Sequence, residues 1–434
     1  MTNSKRLFIT MSLICILLNP SALLKAQIQN IDDLVYKEDT TLSSSRTKEL
    51  RIEIQDLSFF RNNEYKGRLV KGYTLPGSWL LPSLSYQPIS KLKLEIGAYM
   101  LRYWGENIYP NTQYSDLAGW KGNGHQKAFH TMPFLRAHYA ATPNFSLVLG
   151  NIYGRNNHNL IEPLFNREMS LTSDPEAGVQ MLWNTRPFSM DMWINWENFI
   201  FQGDDHQEEF TFGLSTRFKA NRPLDYRTSS AIGGKFHVYF PLQIIFKHQG
   251  GEINTSAVQR EVKTWLNAAA GVGVDIKIQN RFFKRLNIEG DVAYYAQQKG
   301  TTFPFDNGFG LFGKATADIY KFRLNAGYWQ CHNFVSLMGN PLFGAISVSE
   351  QNLTYRNPKM AFLNLEFAHR IAKGFALGVH ADLYNNFSTE AKMLYIDEAT
   401  DEMNTKYESV PSALSFAAGI YLKMDFDFLI KRFK

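Results

Sequence analysis

Four groups of side chains in this 434-residue sequence have types and spacings that could do chemistry. In the first, Arg155, Asn156, Asn157, His158, Glu162, Arg167 and Glu168 crowd together, with His158 and Glu162 four apart. On a helical turn that spacing brings an imidazole and a carboxylate to one face, as metal binding or proton transfer requires. Two ligand types are too few to specify a metal, and a structured polar loop accounts for the same residues. The second group is Gln330, Cys331, His332, Asn333 and Ser336, where an imidazole could activate a serine hydroxyl as nucleophile. The third is the acidic run Asp204, Asp205, Glu208 and Glu209, either a cation site or a solvated loop. The fourth is a set of charges of both signs at alternating positions: Lys93 and Glu95, Arg136 and His138, Lys235 and His237, Asp275 and Lys277, Lys314 and Asp318, Lys321 and Arg323, Glu366 and Arg370, and Lys423 with Asp425 and Asp427. No P-loop, zinc-finger or dinucleotide pattern is present. No metal or other cofactor is expected.

The alternating charges point to the elements that carry them. Phe416, Ala418, Ile420, Leu422, Met424, Phe426 and Phe428 form an unbroken apolar series over thirteen residues, with small, amphipathic or charged residues between. Side chains of a strand change face at every step, so one face is continuously apolar and the other carries Lys423, Asp425 and Asp427. Soluble strands average about 5 to 6 residues, whereas a tilted strand crossing a bilayer needs about 9 to 11. A long strand of a secreted β-sandwich would alternate in the same way. Sixteen strands are expected, near 50–60, 78–86, 91–104, 131–141, 144–153, 176–185, 188–200, 207–219, 229–246, 263–279, 285–298, 306–319, 322–330, 359–371, 375–387 and 411–428. Pro82 and Pro241 each interrupt one, and a proline removes a ladder hydrogen bond, so a bend or bulge is expected at both.

The links separate barrel from sandwich. After even-numbered strands most are short (87–90, 142–143, 186–187, 320–321, 372–374), with 220–228 an exception; after odd-numbered strands they run long (105–130, 154–175, 247–262, 331–358, 388–410). A sandwich has no reason to sort its loops by parity. Outer-membrane barrels have short turns on one side and long loops on the other. At the N-terminus, Lys5 and Arg6 precede a twelve-residue apolar core, Leu7 to Leu18, and Leu24, Lys25, Ala26 offer a cut. This pattern is a secretory signal peptide, 1–26, too short to span. Residues 27–49 are polar and unpatterned and are expected as a periplasmic tail, leaving 50–434 as the barrel. Losing Lys5, Arg6 and Lys25, and no acid, brings the formal charge from +6 to +3, too mild for nucleic acid. Cys331 then stands alone, so no intramolecular disulfide stabilises the chain.

The leader, the amphipathic strands, the loop asymmetry and the Phe-rich last strand resemble a Gram-negative outer-membrane β-barrel protein, porin-like in size. The resemblance is architectural, and the chain departs from it by ending Arg432, Phe433, Lys434, with Phe433 out of phase with Phe426 and Phe428. It implies an all-β, antiparallel up-and-down transmembrane barrel of about 16 strands. It also implies contact with outer-membrane lipid and lipopolysaccharide, and a need for barrel-insertion machinery. Oligomer or assembly partners stay open. Tyr103, Trp104, Trp193, Trp196, Tyr328 and Trp329 are expected as aromatic girdles, and the alternating charges as lumen-facing. Sixteen strands enclose room for water, so the expected function is a non-catalytic, weakly selective pore for small polar solutes, narrowed by the 105–130 link with Gly119, Gly122 and Gly124. Two alternatives stand beside it: a structural subunit of an outer-membrane assembly, and a lipid hydrolase using His332 and Ser336. Outer-membrane lipid hydrolases use such a pair facing lipid, although no Gly-x-His-x-Ser-x-Gly run is present here.

The leader and the strands together predict cleavage after Ala26 and recovery in the outer-membrane fraction. Cell fractionation with N-terminal sequencing checks this; a soluble protein with no heat-modifiable gel shift is the opposing result.

Overall fold

The computed structural model describes residues 30–104, 130–201, 206–221, 236–250, 261–278, 280, 282–350, 352–397 and 402–434. Strands are β1 Glu49–Glu64, β2 Tyr73–Ile89, β3 Leu92–Tyr103, β4 His130–Thr142, β5 Phe145–Asn151, β6 Ala177–Asn184, β7 Phe188–Asn198, β8 Glu209–Lys219, β9 Phe236–Gln249, β10 Lys263–Lys277, β11 Phe283–Lys299, β12 Asn307–Ile319, β13 Phe322–His332, β14 Leu353–Arg356, β15 Lys359–Ala372, β16 Phe375–Asn386, β17 Thr389–Asp397, β18 Glu402–Val410 and β19 Ala413–Arg432. Sixteen of them close an antiparallel barrel in which β1 pairs with both β2 and β19. The other three, β14, β17 and β18, form a separate sheet. They lie within the links expected as loops at 331–358 and 388–410.

Alternation produces a wall with its polarity inverted relative to a soluble protein. On β11, Ile288, Val292 and Tyr294 point outward at 51%, 55% and 45% exposure, while Glu289 and Asp291 point inward at 7% and 4%. An apolar outer face and a polar inner one are stable only when hydrocarbon surrounds the wall. The chain is an integral outer-membrane barrel.

Local irregularities follow from residue type. The β2–β3 pairing lapses between Leu80 and Ser83, around Pro82, and the β9–β10 pairing lapses between Tyr239 and Leu242, around Pro241. Neither proline ends its strand, because only one ladder bond is lost. At the C-terminus, Leu50 pairs with Lys431 but Arg51 with Leu429, so Ile430 is an extra residue in β19. That bulge reverses the phase. Phe433 is thereby returned to the outer face, where its ring meets Tyr86 edge-on at 5.5 Å.

Among the described residues, the lumen is occupied by the N-terminal segment, the β5–β6 link and the chain after β13, with Leu69 and Val70 of the β1–β2 link buried beside the last. Residues 27–49 were expected as a tail; instead Asp32–Tyr36 forms a short helical turn whose neighbours Ile31 and Val35 are buried against β15, β16 and β19. Tyr36 packs edge-on against Tyr421 at 5.4 Å. The β5–β6 link enters from the long-link end and buries Ile161, Leu164 and Leu171. The chain after β13 does the same with Phe334, Leu342 and Phe343, which pack around Trp329 with ring separations of 5.2 Å for Phe334 and 5.6 Å for Phe343. The two links lock together through Asn166 N donating to Met338 O at 2.8 Å and Ser336 Oγ donating to Pro163 O at 2.7 Å. The result is an apolar, aromatic stopper at the long-link end.

Gly378 sets how closely the N-terminal segment can approach the wall. A Cβ there would stand 2.8 Å from Val35 and 3.0 Å from Ile31. Gly378→Leu should dislodge residues 31–36 at a cost of about 1–3 kcal/mol. Protease cleavage between 30 and 40 in a barrel that still shows its heat-modifiable shift is the expected readout; an uncleaved segment opposes this placement.

Candidate functional site

Below the stopper the lumen stays polar. A cavity of about 490 Å³ is lined by Lys37 to Thr40 of the N-terminal segment, by the β5–β6 link, and by β6 to β9. It shares Lys37, Asn159 and Arg217 with a second cavity of about 190 Å³. The second shares Glu162, Phe165 and Arg167 with a third of about 50 Å³ beside His380 and Asp382. Asn184 and Ser189 of the first flank the 185–187 turn, so this polar tract lies toward the short-turn end.

His158 is the most heavily built histidine in the tract. The short turn Arg155–His158 carries it to the floor of the link, with Asn159 in the left-handed region ending the turn. Its Nε2 lies 2.9 Å from Glu176 Oε2 and its Nδ1 2.8 Å from Asp191 Oδ2, and the ring stacks on Trp193 at 3.4 Å. With a carboxylate on each nitrogen, both must donate, so the ring is an imidazolium. Burial alone would push the imidazole down; Glu176 and then Asp191 outweigh it and hold His158 up to about 9. A ring with both N–H bonds committed anchors the link and is not a base.

A second buried knot surrounds Arg61, whose Nε lies 2.6 Å from Glu168 and whose Nη1 lies 3.0 Å from His380 Nε2. Most charges expected in the lumen prove to be paired there. Lys93 reaches Glu53 at 2.9 Å and Glu95 at 3.0 Å; Arg136 holds Glu38 at 2.8 Å; His138 meets Tyr153 OH at 3.1 Å. Asp275 binds Arg285 at 2.7 Å, Lys314 binds Glu162 at 2.9 Å, Asp318 binds Arg323 at 2.7 Å and Glu366 binds Arg167 at 2.5 Å. Lys423 lies 4.3 Å over the Trp79 ring, and Asp427 binds Arg51 and Arg46. His237 and Asp425 are half-buried or exposed on the same side, Lys277 and Arg370 are exposed near strand ends, and Lys235 lies outside the described residues. The paired groups are satisfied chiefly by one another and by the inserted segments.

Several expected groupings do not form. His158 and Glu162, four apart, take different partners, because residue 159 ends the turn before a helical face can develop. Among the described residues no three His, Cys, Asp or Glu side chains are arranged to hold a metal. Ser336 points to Pro163 inside the stopper, whereas His332 is exposed with its Nδ1 on Asn357 Oδ1 at 2.6 Å. The His–Ser pair is therefore not a dyad. Of the six aromatics expected as girdles, Tyr103, Trp193 and Trp329 are buried and face inward, and only Trp104, Trp196 and Tyr328 expose their rings. Residues one or three apart on a strand cannot share a face. Parity was the signal that marks Trp193 as an inward stacking surface, two positions from Asp191. Asp204, Asp205 and the 105–129 part of the expected constriction lie outside the described residues.

A family model described as "Lipid A 3'-O-deacylase-type" matches residues 42–433. No curated protein matches by sequence. Among solved structures, the chain is similar to the outer membrane protein OprD from Pseudomonas aeruginosa at 9% identity and TM-score 0.45, covering 91% of this chain and 97% of that one. It is similar also to OccAB4 from Acinetobacter baumannii, at 9% identity and TM-score 0.43, over 89% of this chain and 100% of that one. OmpT of Vibrio cholerae gives 12% and 0.43, over 86% and 97%. None shares enough sequence to speak to activity. The family match overturns the expectation of a non-catalytic protein, since that family is described by an enzymatic activity.

The His158 clamp predicts a pH dependence. Its folded value lies above the unfolded one of 6.5, so its contribution is complete below 6.5 and is lost as pH rises through about 9. Hydrogen-exchange protection of residues 153–176 should fall across that window. His158→Gln should lower protection at neutral pH and flatten the dependence; an unchanged profile in the variant counts against the clamp.

Proposed function

Because this chain belongs to the Lipid A 3'-O-deacylase-type family, we propose that it removes an ester-linked acyl chain from an outer-membrane glycolipid, with His332 as the base that activates water. The observation that carries this reading is the setting of His332. It ends β13 at the long-link side of the barrel, exposed, with the Phe309 ring 5.7 Å away and Asn357 Oδ1 2.6 Å from its Nδ1. Asn357 holds a left-handed backbone, φ 50°, a conformation asparagine tolerates better than most residues. With Asn357 Oδ1 accepting from Nδ1–H, Nε2 is left as the acceptor, the tautomer a general base needs.

The reaction balances with these groups. Nε2 takes a proton from water as the water oxygen bonds to the ester carbonyl carbon. The carbon–oxygen bond to the sugar then breaks, and the departing alkoxide recovers the proton from Nε2–H. The products are a free fatty acid and a sugar hydroxyl. No protein nucleophile is required, which accommodates Ser336 facing the stopper. The apolar packing around Trp329 and the paired lumen charges favour this reading over passage of solutes.

Purified protein incubated with lipopolysaccharide should release fatty acid, with matching mass loss in the lipid. His332→Ala should lower the rate by about 10²–10⁴-fold, and Asn357→Ala by a smaller factor with a shifted pH profile. Stable conductance steps in planar bilayers without acyl release, or full activity in His332→Ala, overturns the proposal.

A further inference from the structure

The cavity toward the short-turn end is remote from His332 and has a chemistry of its own. Its walls hold acids and cations, but the two are treated differently. Glu38 is held by Arg136 at 2.8 Å, and Asp191 by His158 at 2.8 Å. Glu38 and Asp191 thus already have cationic partners behind the cavity wall, and the third lining acid, Asp39, accepts from Thr41 N at 2.9 Å and Thr41 Oγ1 at 2.7 Å. The cations are less closely matched: of the three, only Arg217 has an acid within ion-pair distance among the described residues. Lys37 Nζ rests on a neutral amide, Asn159 Oδ1, at 2.5 Å. Lys219 makes no ion pair among the described residues, and stands two positions from Arg217 on the same inward face. Arg217 stacks on Tyr239 at 4.1 Å and is 3.6 Å from Glu289, whose same oxygen accepts from Tyr239 OH at 2.5 Å. Two like charges placed side by side, with one distant carboxylate oxygen shared with a tyrosine hydroxyl, favour an anion between them.

Around these cations lie neutral groups. Asn184, Ser189 and Ser215 line the cavity and make no side-chain hydrogen bond among the described residues. At about 490 Å³ the cavity falls within the roughly 300–1,000 Å³ of ligand sites, room for a short saccharide. A simple anion would use only the cations and leave the amide and hydroxyls to water. A neutral sugar would use only the latter.

We propose that this cavity binds an acidic saccharide, its anionic group at Arg217 and Lys219 and its hydroxyls on Asn184, Ser189 and Ser215. The ligand enters from the short-turn side, so binding does not depend on the outward-facing histidine.

Calorimetry on the full-length protein in detergent tests this with digalacturonate, lactose and inorganic phosphate as probes. Digalacturonate should bind saturably, about tenfold or more tighter than either of the others. Arg217→Gln with Lys219→Gln should weaken it about tenfold, and Ser215→Trp, which fills the cavity, should abolish it, each in a barrel that keeps its heat-modifiable shift. His332→Ala should bind as the wild type does, which separates this site from the deacylation proposal. Equal binding of phosphate and digalacturonate, equal binding of lactose and digalacturonate, no saturable binding, or undiminished binding in Ser215→Trp overturns the assignment.

Discussion

A closed wall of strands in hydrocarbon must turn its apolar side chains outward, and the rest of this molecule depends on that. Every second residue, polar as well as small, is then delivered to an interior that bulk water does not fill. A buried charge left without a partner costs about 3–5 kcal/mol. The lumen therefore cannot be understood strand by strand. Arg61, Arg136, Arg167 and Lys314 sit on different elements, and each finds its carboxylate on another. The inserted segments supply Glu38, Glu162, Glu168 and Asp32 to wall or neighbouring cations. Pairing the wall and plugging it are one event.

This explains which features were legible in the sequence. Strand positions depend only on local alternation, so all sixteen wall strands fall on their expected segments. Pro82 and Pro241 interrupt the ladder where they stand, as expected of residues lacking an N–H. The errors came from features with a different logic. Tyr103 with Trp104, and Tyr328 with Trp329, were grouped by composition, although adjacent strand residues face opposite ways. Phe433 looked out of phase because the extra Ile430 is invisible to a strict period of two.

The site was less legible, because its geometry is tertiary. Asp191 and Trp193 are seen as alternating positions of one strand, but nothing local says that His158, more than thirty residues earlier, will lie between Asp191 and Glu176. The spacing of His158 and Glu162 suggested a helical face, yet the turn stops at Asn159. His332 does end a strand, as its place in the sequence suggested, but its partner is Asn357, across a long link, and not Ser336 in the same run. Sequence proximity selected the wrong partner.

The division of the lumen into an apolar end and a polar end follows from the same loop asymmetry that revealed the barrel. Only a long link can fold back into the space between strands; turns such as 185–187 and 320–321 can do no more than close a hairpin. The β5–β6 link and the chain after β13 therefore fill the end they come from, and their aromatic residues make it apolar. With an even number of wall strands, the chain before β1 begins on the opposite side. It is the one described segment free to enter from there, and it does so with Ile31, Val35 and Tyr36. Residues 37–40 then line the cavity on the way back to the wall. Because this short stretch occupies only part of the opening, polar space survives at that end.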